Sequence, residues 1–77
     1  MDYLKMFQDW NETMISTIRR NLSADLKAGY PQRGPVIMGY LKELDKRREL
    51  YRELYSLKTL QDAQKWCKGY LLAHELI

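Results

Sequence analysis

With one cysteine, one histidine and two prolines in 77 residues, the sequence is poor in the residue types that build metal sites, nucleophile pairs and chain breaks. The lone Cys67 excludes an intramolecular disulfide, and a small domain without such a staple suits a reducing, cytoplasmic setting. Cys67 and His74 are seven positions apart, about 10.5 Å along a helix. They cannot ligate one ion, nor act together as a Cys–His pair. The four glycines, at 29, 34, 39 and 69, do not have the spacing of a phosphate-binding loop. No serine sits in a nucleophile elbow. The sequence therefore predicts no catalytic residue, no metal and no cofactor, and a protein that is not an enzyme. Met1-Asp2-Tyr3 starts without the basic and apolar regions of a signal peptide. Apolar runs such as Tyr70-Leu71-Leu72-Ala73 fall far short of the ~20 residues of a membrane span, so no membrane partner is expected. Nor is there any strand-like alternation, internal repeat or low-complexity tract.

What the sequence does have is helical periodicity. Tyr3, Leu4, Phe7, Trp10, Met14, Ile15, Ile18, Leu22 and Leu26 fall in one stripe at about 100° per residue. Asp2 is placed to cap this helix and Gly29 to end it. Asn11 and Asp25 intrude on the stripe, and the capping residues in Asn21–Asp25 allow a kink or a restart. After the loop Gly29–Pro35, a second helix is expected over about 35–56. Its stripe is Val36, Ile37, Tyr40, Leu41, Leu44, Tyr51, Leu54 and Tyr55, with Arg47 and Arg48 where the next apolar residue is due. Leu50 and Leu57 lie off that stripe, which makes the helix apolar on more than one side. Thr59-Leu60-Gln61-Asp62 reads as a capping box with Asp in the usual Glu position, starting a third helix at about 60. Ser56 is the competing cap. Leu60, Ala63, Trp66, Cys67, Tyr70, Leu71, His74 and Ile77 share the third helix's face. The fold class is all-α: one small domain over 1–77, either a three-helix bundle or a long hairpin with a third helix.

A compact monomer of this mass, 9.3 kDa, exposes about 5,000 Å² and buries little core, so a partner would add needed stability. Six Tyr, two Trp and one Phe form a heavy aromatic load for so small a core, and Tyr, Trp and Arg concentrate at interface hot spots. The leading expectation is a helical module that binds another protein or, as a homodimer, itself, acting as a regulator or inhibitor. Its candidate contacts are Tyr40, Arg47, Arg48, Leu50, Tyr51, Arg52 and Tyr55.

The net charge of +3 arises wholly in residues 29–58, with seven basic and four acidic groups. A second expectation is therefore a basic nucleic-acid-binding protein. Lys42, Lys46, Arg48, Arg52 and Lys58 would meet phosphates, with Gln61, Gln64, Lys65 and Lys68 on the last helix. Against it, Glu43, Asp45, Glu49 and Glu53 alternate with the cations and form plausible helix pairs, such as Glu43 with Arg47. A third line of thought starts from Leu41-Lys42-Glu43-Leu44-Asp45, preceded by Ile18-Arg19 and a glycine-containing loop. This resembles the helical hairpins of small aspartyl-phosphate phosphatases of sporulation relays, which carry Ser-x-x-Leu-Asp on the second helix. Leu41 stands at the serine position here, and the resemblance implies a phosphatase role for Asp45.

Overall fold

The computed structural model describes residues 1–29 and 34–77. Three helices follow in order, α1 (Tyr3–Ala28), α2 (Gly34–Tyr55) and α3 (Leu60–Ala73), and they pack on one another as an all-α bundle with no strand among the described residues. Positions 30–33 of the loop expected over Gly29–Pro35 lie outside the described residues.

The helix ends follow the chemistry of the backbone. The Asp2 carboxylate accepts the Lys5 N–H at 3.1 Å, satisfying one of the first-turn donors that an α-helix leaves open. Gly29 closes α1 at φ +67°, a left-handed conformation that suits a residue without Cβ. The helix runs unbroken through Asn21–Asp25, so no restart occurs there. Of the two candidate caps before α3, Thr59 is the one used. It is extended, and its hydroxyl accepts the Asp62 N–H at 3.0 Å. Ser56 instead donates back to the Glu53 carbonyl.

Two apolar clusters fill the bundle. Phe7, Leu54 and Cys67 form the first, where all three helices meet; Ile15, Ile18 and Leu44 form the second, between α1 and α2 alone. Phe7 is fully buried. It meets Tyr51, Trp66 and Tyr70 edge-on, at centroid distances of 6.0, 5.1 and 5.1 Å. The aromatic anchor is thus Phe7, with the half-buried Trp66 packed on it, while the half-buried Trp10 packs on Tyr70 and His74.

Between the clusters lies a polar layer. Asn11, fully buried, donates to the Arg47 carbonyl at 3.2 Å. The Arg47 side chain, 11% exposed, pairs with Glu43 at 3.1 Å and spreads over the Trp10 ring at 4.5 Å. Tyr51 donates to Glu12 Oε1 at 2.8 Å. Burial, helped by this bond to a carboxylate, pushes the Tyr51 phenol up to about 12.

Two sequence expectations are corrected here. Leu50 and Leu57 are not a leftover surface: both pack against the first cluster, because α3 covers that side of α2. Conversely, Val36, Leu41 and Tyr55 are exposed, as are Leu26, Leu60 and Ile77. α3 has only 14 residues against 26 and 22 for its neighbours, so it cannot line their whole length.

Candidate functional site

The residues singled out from sequence fall into two groups. The first is internal. Tyr40 is half-buried against Ile15, Ile18 and Leu44, and Leu50 and Tyr51 are half-buried against the Phe7 cluster. Arg47 belongs to the polar layer, with its charge shared between Glu43 and the Trp10 ring. Its Nε and Nη1, and Asn11 Oδ1, are buried without a hydrogen-bond partner among the described residues.

The second group is outward. Arg48, Arg52 and Tyr55 are exposed, and so is Asp45. Together with Met38 and Leu41 they occupy positions 38, 41, 45, 48, 52 and 55, an alternation of three and four that keeps them on one side of α2. Met38 is 55% exposed, Leu41 42% and Tyr55 67%. At about 100° per residue the stripe points roughly opposite the Leu50–Leu54–Leu57 side that α3 covers. Arg52 pairs with Glu49 at 3.0 Å, an exposed bond of small value. Tyr55 stacks on Tyr51 at 5.7 Å and accepts from Gln8 Nε2 at 3.4 Å. Asp45 and Arg48 have neither an ion pair nor a side-chain hydrogen bond among the described residues. Met38 is the residue that sequence reasoning missed. Its signal was available in its register with Leu41 and Tyr55, which the overly wide apolar stripe concealed.

The nucleic-acid candidates do not assemble into one face. Lys42 and Lys46 are exposed on α2, in line with Glu49 and Glu53 at the i+7 positions, and Lys46 borders the cleft toward α3. Gln64 is taken up inside the fold: it accepts the Leu4 N–H at 3.1 Å and donates to Asp2 at 2.9 Å. That bond, reinforced by the Lys5 N–H, holds the Asp2 carboxyl below its usual range. Lys68 sits over the Tyr3 ring at 5.5 Å. Lys58, Gln61 and Lys65 are simply exposed.

A cleft of about 440 Å³ opens between α2 and α3, bordered by Arg47, Leu50, Tyr70 and His74 among others. Three glutamates and Lys46 line it as well, so charges of both signs meet there. No group of three or more His, Cys, Asp or Glu placed to hold a metal occurs among the described residues. No helix there is long and apolar enough to cross a membrane. Cys67 is buried, and burial raises its thiol to about 11, with the Asp2 charge adding to the effect.

Compared with known proteins, the chain matches no family model, no curated protein and no solved structure. The resemblance to aspartyl-phosphate phosphatases therefore rests on Leu41–Asp45, Ile18-Arg19 and the glycine-containing loop, with no matching protein beside it.

Proposed function

We propose that the protein is a non-enzymatic helical interaction module that binds a partner protein through the exposed stripe of α2, in a reducing, cytoplasmic setting. Such a module acts as a regulator or inhibitor by occupying a surface its partner needs elsewhere. The supporting observation is the stripe itself: six exposed positions at heptad spacing, apolar or aromatic at its ends and charged at its centre. Helix faces with this spacing are the usual substrate of helix–helix recognition. Arg48, Arg52 and Tyr55 are residue types that concentrate binding energy.

The test is site-directed photo-crosslinking. A photoreactive side chain at position 48 is expected to give a discrete protein adduct in an extract of the source cell. The same group at position 65, exposed on α3, is expected to give none. Equal labelling from both positions, or from neither, overturns the reading. An adduct to nucleic acid that fades steeply with salt would replace it with the basic nucleic-acid-binding alternative.

A further inference from the structure

The six-position stripe on α2 has an internal symmetry that its sequence spacing conceals. Laid antiparallel against a second copy about an axis between residues 45 and 48, each position meets a complementary one. Asp45 falls opposite the partner's Arg48, and Arg48 opposite the partner's Asp45. Leu41 falls opposite the partner's Arg52, whose aliphatic stem can cover it. Met38 falls opposite the partner's Tyr55, a thioether against an aromatic ring. On one flank, Lys42 comes level with the partner's Glu49. Both of these charge pairs, Asp45 with Arg48 and Lys42 with Glu49, are attractive, and each occurs twice. The parallel arrangement does the reverse, setting Asp45 on Asp45 and Arg48 on Arg48, which disfavours it.

The surface area supports an occupant of this size. The chain exposes 5708 Å², about 700 Å² more than a compact chain of its mass. Each partner in a standard-size interface contributes about 800 Å². The long axis of the molecule, 47 Å against 22 and 17 Å across, shows where the excess comes from: a hairpin that α3 covers over only part of its length.

We propose that the occupant of the stripe is a second copy of this chain, docked α2 against α2 in an antiparallel two-fold dimer centred between Asp45 and Arg48. This rests on the reading of the stripe as an interaction surface and names its partner. The dimer is distinct from one formed through Leu50 and Leu57, since α3 already covers those residues.

The experiment is sedimentation of the purified full chain from micromolar to hundreds of micromolar, with circular dichroism to show that each variant keeps its helices. The native chain is expected to shift from monomer to dimer with concentration. Asp45→Arg leaves two arginines facing two, and Arg48→Asp leaves two aspartates facing two. Each alone should weaken association by about tenfold or more. Mixed in equal amounts, the two variants become mutually complementary and should dimerise with each other. The double exchange in one chain should restore self-association. A native chain that stays monomeric throughout overturns the proposal. So do single reversals that associate as well as the native chain, or a mixture that fails to pair. If the purified chain is monomeric while position 48 still cross-links to a different protein, the second-copy assignment falls and the interaction reading stands. If no adduct forms either, both fall.

Discussion

Arg47 carries a full charge into the layer where the helices pack, and two of its three guanidinium nitrogens find no acceptor there. Its partner Glu43 is 40% exposed, so the pair is only half-desolvated and gains little from the interior. What Arg47 contributes is mostly the fit of its stem and its contact with the Trp10 face. Arg47→Met keeps the stem and removes the unsatisfied donors, leaving Glu43 free to hydrate. It is expected to stabilise the fold by about 1 kcal/mol, whereas Arg47→Ala, which deletes the stem, should destabilise it. Urea midpoints of the two variants check both signs; a lower midpoint for Arg47→Met would mean the charge itself holds the layer. The interruption of α2's apolar stripe at positions 47 and 48 was visible in the sequence. Which arginine turns inward was not, because neighbours on a helix point about 100° apart and the choice depends on where Trp10 lies.

At the level of elements, α3 is fastened at its start by one side chain. Gln64 joins the start of α1 through both Leu4 and Asp2, across 60 and 62 residues of chain. Gln64→Ala leaves the half-buried Leu4 N–H without its acceptor and is expected to cost about 1–2 kcal/mol. Gln61→Ala, exposed on the same helix, should stay within about 0.5 kcal/mol. Thermal unfolding of the two variants side by side gives the contrast; equal losses would reduce Gln64 to an ordinary surface residue. The helix ends themselves were legible, since Asp2, Gly29 and Thr59 act through backbone groups only a few residues away. The role of Gln64 was not. From sequence it looked like a residue that reads base edges, because a hydrogen bond between the two ends of the chain leaves no local signal. The same holds for the surface: Leu50 and Leu41 are equally apolar, and only the position of α3 decides which of them is covered.

For the molecule as a whole, Tyr51 and Cys67 make stability depend on alkaline pH. Both groups are neutral when protonated, and burial raises both above their ordinary values, from 10.0 to about 12 and from 9.0 to about 11. Folding therefore favours the protonated forms. Their contribution is fully present below pH 9 and is lost as pH rises, from 9 through 11 for Cys67 and from 10 through 12 for Tyr51. Denaturant midpoints should be flat between pH 7 and 8.5 and fall above 9, and Tyr51→Phe should make the decline above pH 10 shallower. An unchanged slope in that variant would show that the phenol does not drive it. The two apolar clusters also differ in when they can exist. The second draws on α1 and α2 alone, but Phe7 has no enclosure until Cys67 is made. At about 5–20 residues per second, the twelve residues from the end of α2 at Tyr55 to Cys67 take roughly 0.6–2.4 s. In that interval α1 and α2 are made and α3 is not, so Phe7, Trp10 and Tyr51 lack the cover of Trp66, Cys67 and Tyr70, a sticky aromatic edge available to any chaperone or neighbouring chain that reaches it before α3 does.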